Sequence, residues 1–284
     1  MKKLHVRHLL EINLAMFFIA TSGALGRYVQ LPVTTTIGSR AILAAVALIL
    51  FCLYKKYSFR IKREDWLIIG VTGVLMCVHW LSYFYALQLS SVAIGMLSLF
   101  TYPVITAFLE PIMLGTKFQR IHLVLAVLVL LGMYLLSPTL DFADSNSLAV
   151  GFGVLSALAY ALRNILLKKK VSNYNGSVLM VYQTVITAGI LIPFMFTVPL
   201  VDIVSQWQAL LALAVLTTAI GHTLFLMTFK HFTITTVSIL SSIQPIYGIV
   251  IGALFLAEIP AANTIVGGIL ILSSVVIESV RTKS

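Results

Sequence analysis

Residues 34–63 read TTTIGSRAILAAVALILFCLYKKYSFRIKR. From Thr34 to Tyr54 the stretch holds no acid and one cation, Arg40; Lys55, Lys56, Arg60, Lys62 and Arg63 then follow within nine residues. A hydrocarbon core about 30 Å thick is spanned by about 20 mostly apolar residues in a helix. Loops rich in lysine and arginine stay on the cytoplasmic side. The stretch therefore reads as a membrane-spanning helix that ends at the cytoplasmic surface.

The same pattern extends in both directions. Before it lies Leu9–Tyr28; after it come Trp66–Leu87, Val92–Gly115 and Ile121–Ser137. The second half supplies Leu148–Leu167, Ser177–Val198, Trp207–Phe229, Thr235–Ala257 and Ala262–Ile277, ten expected spans in all. Composition agrees, with 60% hydrophobic and 10% charged residues and a mean hydropathy of +1.04, where soluble domains carry about 25% charged residues. A soluble enzyme, a disordered chain and a disulfide scaffold are excluded. The first segment carries Glu11 and Asn13 and has no small-residue cleavage pattern, so it is expected to remain as a span.

Charge sets the orientation. Of the 19 Lys and Arg, 16 fall on one side if there are ten spans: Lys2, Lys3, Arg7, the five after Tyr54, Lys117, Arg120, Lys168, Lys169, Lys170, Lys230, Arg281 and Lys283. The opposite loops hold Asp141, Asp144 and Asp202 and no lysine. Both termini are expected in the cytoplasm, in a cell membrane. The net charge of +10 thus reflects topology and the lipid bilayer rather than a nucleic-acid partner. Cys52 and Cys77 lie inside apolar runs and are expected as buried thiols, with no metal site and no cofactor.

A shift of 142 residues, half the chain, superimposes Ser91-Val92-Ala93 on Thr233-Ile234-Thr235 and Pro103 on Pro245. Five spans per copy is an odd number, so the second copy is expected upside down. This gives an all-α membrane fold of two inverted five-helix repeats, residues 1–142 and 143–284. Inverted repeats around a midplane site are a recurrent plan for secondary transporters.

Particular residues carry a resemblance. Ser98-Leu99-Phe100-Thr101-Tyr102-Pro103 is similar to the proline-bearing fourth span of the EamA-type drug/metabolite transporters. Gly221-His222-Thr223-Leu224, Gln244-Pro245 and Leu256-Ala257-Glu258 resemble that family's eighth and ninth spans. Arg40 stands where the family often has an arginine in its second span. The resemblance implies a ten-span transporter and says little of the substrate. The first copy has Thr116 where the repeat would put the counterpart of Glu258.

Polar and helix-breaking positions are costly in lipid and so point inward. Pro103 and Pro245 each remove a backbone hydrogen bond and read as hinges, as does Pro111 after Glu110. Ser238, Ser241, Ser242 and Pro245 share one face of the ninth span, with Gln244 beside them; they are also consistent with close packing of small residues. The matching face of the fourth span is Met96, Leu99, Phe100 and Pro103. A cavity between these helices would have one polar and one apolar wall, suiting an apolar amino acid or an amphipathic drug-like solute. Trp80, Tyr83, Tyr102, His79 and His222 are further cavity candidates; the two histidines sit one residue off repeat correspondence. Each histidine reads first as a neutral side chain bonded to a backbone carbonyl, with proton relay as the alternative.

An arginine at a helix centre costs about 2.5–3.5 kcal/mol on insertion scales. Arg40 therefore needs a partner, and Glu258 is the candidate. Arg163 either snorkels toward Lys168 or pairs with Glu110 or Glu11 as an inner gate. Proton coupling would fall to Glu110, His222, His79 or Glu11; a facilitator needs none of them. The expected function is secondary transport of a small organic metabolite by alternating access, with export favoured. A receptor, scaffold or lipid-handling protein is the alternative, and an intramembrane enzyme a more distant one. A homodimer is left open.

Overall fold

The computed structural model describes residues 2–115, 118–137, 143–168, 170–232, 237 and 240–281, with side chains from residue 8 to 277, residue 9 excepted. Ser238, Thr116, Lys169, Asp141 and the Thr233–Thr235 segment lie outside the described residues. The described chain is helical, with no strand among those residues. Six helices are long and apolar enough to cross a membrane, and Ile121–Leu136, Ile243–Leu256 and Ala262–Ile277 are shorter apolar helices.

The first half builds α1 (Lys2–Tyr28), α2 (Val33–Tyr54), α3 (Trp66–Leu89), α4 (Val92–Leu99), α5 (Tyr102–Leu114) and α6 (Ile121–Leu136). Pro32 precedes α2, where its missing N–H costs nothing. Ser91 starts α4 by accepting from the Ile94 N–H at 3.2 Å. The expected span Val92–Gly115 is two helices rather than one. The Thr101 N–H bonds the Ser98 carbonyl and the Val104 N–H bonds the Thr101 carbonyl, a tight turn that re-satisfies the backbone where Pro103 interrupts it.

The second half builds α7 (Ser145–Lys168), α8 (Gly176–Leu191), α9 (Leu200–Ser205) and α10 (Trp207–Ala212). A ten-residue π-helical stretch, Leu213–His222, continues α10 into α11 (Thr223–Thr228). The chain ends with α12 (Ile243–Leu256) and α13 (Ala262–Arg281). Asp144 Oδ2 accepts from the Ser147 N–H at 3.0 Å to start α7. Gly115 and Ala257 end α5 and α12 in the left-handed region, at φ of 69° and 54°.

Packing is set by small residues, because lipid offers apolar side chains as good a home as a neighbouring helix does. α6 crosses α13 at Gly132 and Gly267: a Cβ on Gly267 would lie 2.7 Å from the Gly132 carbonyl oxygen. Gly153 of α7 is tighter still against Ser98 of α4, whose side chain a Cβ there would overlap. Among the described elements α1 packs on α12 and on the π-helical stretch, while α7 packs on α3 and on α4 and α5. α3 also meets α8, and the π-helical stretch meets α2; α2 lies on α8, α4 on α12 and α6 on α13. Exposed Leu123, Val127, Leu130, Leu254, Phe255 and Ile269 turn outward, as a lipid-facing surface requires.

Candidate functional site

Polar and aromatic side chains from both halves converge at the centre of the bundle. Helix α3 presents His79, Trp80 and Tyr83 to the cavity, Tyr83 lying four residues after His79 and three after Trp80, the spacings that are neighbours on a helix. Ile19 and Ser22 come from α1, Arg40 from α2, Leu99, Phe100 and Tyr102 from the α4–α5 break, Tyr160 from α7, His222 from the π-helical stretch and Gln244 from α12. Together they line a cavity with about 10 Å³ in which a water centre can move, close to the minimum for one water. The arrangement is contracted, and an organic solute needs the helices to part.

Rings fill the wall. His79 stacks on Tyr160 with centroids 4.4 Å apart, and Tyr102 meets Tyr160 edge-on at 5.2 Å. His79 Nδ1 lies 2.8 Å from Ser156 Oγ. The Trp80 Nε1–H donates to His222 Nε2 at 3.4 Å. An indole N–H only donates, so a neutral His222 keeps its proton on Nδ1, which has no hydrogen-bond partner among the described residues. The Tyr102 and Ser241 hydroxyls meet at 2.5 Å, joining the two broken regions of the fourth and ninth expected spans.

Arg40 is 1% exposed. Its Nε donates to Thr218 Oγ1 at 2.6 Å, and its guanidinium lies 4.5 Å above the Trp80 ring. The π-helical widening places Thr218, whose hydroxyl also reaches the Leu213 carbonyl at 3.0 Å; single π turns are frequent at functional sites. The expected Arg40–Glu258 pair is not formed. Glu258 instead takes Arg27 Nε on Oε1 at 2.9 Å and the Val92 N–H on Oε2 at 2.8 Å, while Arg27 Nη1 donates to the Leu87 and Gln88 carbonyls. Arg27 stands in the last turn of α1, beside Glu258 and the end of α3, whereas Arg40 lies deeper, on the wall of the central cavity.

Arg163 does not snorkel, and among the described residues it pairs with no acid, Glu110 and Glu11 included. It is fully buried and donates to Gln183 Oε1 from Nε and Nη2, at 2.9 and 2.8 Å, and to Asn164 Oδ1 from Nη1 at 2.8 Å. Glu11 lies 3.0 Å from His8 Nδ1. Glu110 and Pro111 sit on the half-buried part of α5, outside the cavity lining. Met96 does not line the cavity either: it packs against Gly23 and Gly248, where a side chain on either glycine would collide with it. Ser242 is half-buried beside the α12 start, and Pro103 and Pro245 are buried at the two breaks.

The opposite end of the bundle carries a second ionic cluster. Asp65, buried between α2 and α3, accepts from Lys170 Nζ on Oδ1 and from the Tyr174 hydroxyl on Oδ2, each at 2.5 Å. The Lys170 hydrogen bond, then that of Tyr174, holds the Asp65 carboxyl below its ordinary value, and Asp65 in turn holds Lys170 above its own. Lys168 Nζ donates to the Phe229 and Phe232 carbonyls at 2.8 Å, tying the ends of α7 and α11 together.

The profile of the EamA-like transporter family matches residues 9–137 and again residues 147–280. The chain belongs to the EamA-like transporter family. The first EamA segment runs through α1–α6 and the second through α7–α13. The Pseudopaline exporter CntI of Pseudomonas aeruginosa is 25% identical over 239 residues, 83% of this chain and 82% of that one. An uncharacterized transporter of Archaeoglobus fulgidus is 26% identical over 239 residues, 84% and 83% of the two chains. A protein of known crystal structure superimposes with a TM-score of 0.70 at 16% identity, covering 96% of this chain and 98% of its own, which speaks to fold. This EamA-family chain is thus a multi-pass membrane protein. Reasoning from its sequence missed Thr218 and Ser22 and gave Tyr160 no place in the site. The Thr217–Thr218 pair inside an apolar run was the available signal.

Proposed function

We propose that this EamA-family protein is a secondary transporter that moves a small organic metabolite, amino-acid-like or amphipathic, by alternating access. The observation that carries the reading is the central cavity, to which both family segments contribute, from Ser22, Arg40 and Trp80 in one to Tyr160, His222 and Gln244 in the other. Sites built between two repeats and near broken helices are the common plan of secondary carriers.

Ten spans in two inverted repeats, residues 1–142 and 143–284, are part of the proposal. The helix pairings support it, because exchanging the halves maps them onto one another. The α1 contact with the π-helical stretch becomes α7 with α3; α1 on α12 becomes α7 on α4 and α5; α3 on α8 becomes the π-helical stretch on α2. The left-handed helix ends at Gly115 and Ala257 are likewise 142 positions apart. Both termini face the cytoplasm in this reading, in keeping with the basic loops.

Two clusters at opposite ends serve as gates. Arg27–Glu258 with Val92 closes the outer end, and Asp65–Lys170–Tyr174 the cytoplasmic end. Bends at Pro103 and Pro245 let α4–α5 and α12 rock between them, and Pro111 gives α5 a further flexible point. Export is the proposed direction, in line with the name of the Pseudomonas aeruginosa relative. A thermal-shift screen of metabolites on the purified protein, followed by flux of the stabilising compounds in proteoliposomes, tests the proposal.

A further inference from the structure

Arg40 and Arg163 are both buried arginines, and they differ in one respect. Every guanidinium nitrogen of Arg163 has a hydrogen-bond partner on Gln183, Asn164 or Met180. Arg40 spends only its Nε, on Thr218. Its Nη1 and Nη2 are shielded from solvent and have no hydrogen-bond partner among the described residues, although Arg40 lines the cavity. Packing over Trp80 at 4.5 Å stabilises the cation through the ring face but satisfies no N–H.

Counter-charge is missing as well. Among the described residues the buried charged side chains are Arg40, Asp65 and Arg163. Asp65 is engaged by Lys170 at the far end of the bundle, and Glu258 by Arg27. A buried charge left without a partner is strongly destabilising. Two parallel N–H groups of a guanidinium fit the two oxygens of a carboxylate, in a short and strong bidentate pair. His222 Nδ1 is a second orphaned polar atom on the same wall. It offers a neutral donor and no further positive charge. One cation with neutral donors around it matches a singly charged carboxylate better than a phosphate dianion.

We propose that the transported solute is an organic acid whose carboxylate binds Arg40 Nη1 and Nη2 while its planar or apolar part lies against Tyr160 and Phe100. The proposal rests on the transport reading above. It goes further by making Arg40 a substrate anchor rather than a gate residue. It also explains why the anchor has no acidic partner among the described residues: a resident acid would compete with the cargo.

The test uses the full-length protein in detergent and in proteoliposomes. The probes are phenylalanine, histidine and 3-phenylpropionate, each beside its primary amide, within a broader panel of neutral and cationic metabolites. The expected result is that stabilising and transported compounds carry a carboxylate and that their amides do not act. Arg40→Gln is expected to weaken carboxylate binding by about 100-fold, as for loss of one partner of a buried charge pair. Arg40→Lys, a point charge without the fork, is expected to retain more binding than Arg40→Gln. The apo melting temperature of Arg40→Gln should not fall below the parent's, since an uncompensated buried charge is removed; a purely structural arginine would show a fall. Transport of neutral or cationic solutes alone, equal action of acids and amides, or carboxylate binding that survives Arg40→Gln overturns the inference and leaves the transport reading intact. A panel in which nothing is carried overturns both.

Discussion

Trp80 and His222 are 142 positions apart in the chain, half its length, and the indole N–H of one donates to the ring nitrogen of the other. Residues in equivalent positions of two copies related by a two-fold axis touch each other only when both lie beside that axis. Their contact therefore supports the proposed inverted repeat, in which the cavity would lie on the axis. Arg40 rests on the same indole, so this contact also seats the buried guanidinium.

The proposed ten spans put the acidic and the basic loops on opposite sides, and the basic loops set which side is cytoplasmic. Single cysteines replacing Asp202, exposed at the acidic side, and Lys55, exposed at the basic side, distinguish the alternatives. With Cys52 and Cys77 replaced by alanine, Asp202→Cys should react with an impermeant maleimide in intact cells and Lys55→Cys should not. The reverse labelling would require the opposite orientation.

Removal of the Glu258 carboxylate should change opening more than stability. The Arg27–Glu258 side chains are 31% and 21% exposed, and partly exposed pairs of this kind contribute about 0–1 kcal/mol. In Glu258→Ala, a cysteine at Ser22 on the cavity wall should be modified by a small thiol reagent several-fold faster than in the parent. The melting temperature should barely move. Unchanged reactivity would show that the outer end is closed by something else.

The Asp65 cluster has a defined pH window. Because the Lys170 and Tyr174 hydrogen bonds lower the Asp65 value in the folded protein, its contribution is present above the ordinary carboxylate value of about 3.9. It is lost as pH falls through the lower folded value. Lys170, raised by Asp65, contributes below its ordinary value of about 10.4 and ceases to only as pH rises through the higher folded one. Between these limits the melting-temperature difference between the parent and Asp65→Asn should be constant. It should shrink only in strong acid or strong base. A difference that varies between pH 6 and 8 would contradict this assignment.

Glycine substitutions separate packing from helix propensity. A Cβ on Gly267 would meet the Gly132 carbonyl oxygen at 2.7 Å, whereas one on Gly70 meets nothing within 4 Å. Backbone cannot yield as a side-chain tip can, so Gly267→Ala should destabilise by about 1–3 kcal/mol. Gly70→Ala, in the interior of α3, should stabilise by about 0.5–1 kcal/mol. Thermal unfolding of the two variants, monitored side by side, checks both signs.

Element positions were readable from hydropathy, as the expected Thr34–Tyr54 against the observed Val33–Tyr54 shows. Hydropathy is blind to how a span is wound, however. It did not reveal the turn between α4 and α5 or the π-helical stretch at Leu213–His222, because both keep their apolar character. The aromatic and histidine positions on the cavity wall stood out as polar groups in lipid. Partnerships did not: the expected Arg40–Glu258 pair rested on depth along the helix, and depth does not say which face a side chain occupies. Tyr160 is one tyrosine among 11, and only the tertiary arrangement sets it between His79 and Tyr102.

Substrate flux through the central cavity is the most direct test of the transport proposal. Compounds that stabilise the purified protein should enter proteoliposomes with saturable kinetics in the parent. In Gln244→Leu, which alters a cavity wall position at the start of α12, flux should fall at least tenfold while the melting temperature stays close to the parent's. No saturable flux for any stabilising compound, or flux untouched by the substitution, would contradict the account.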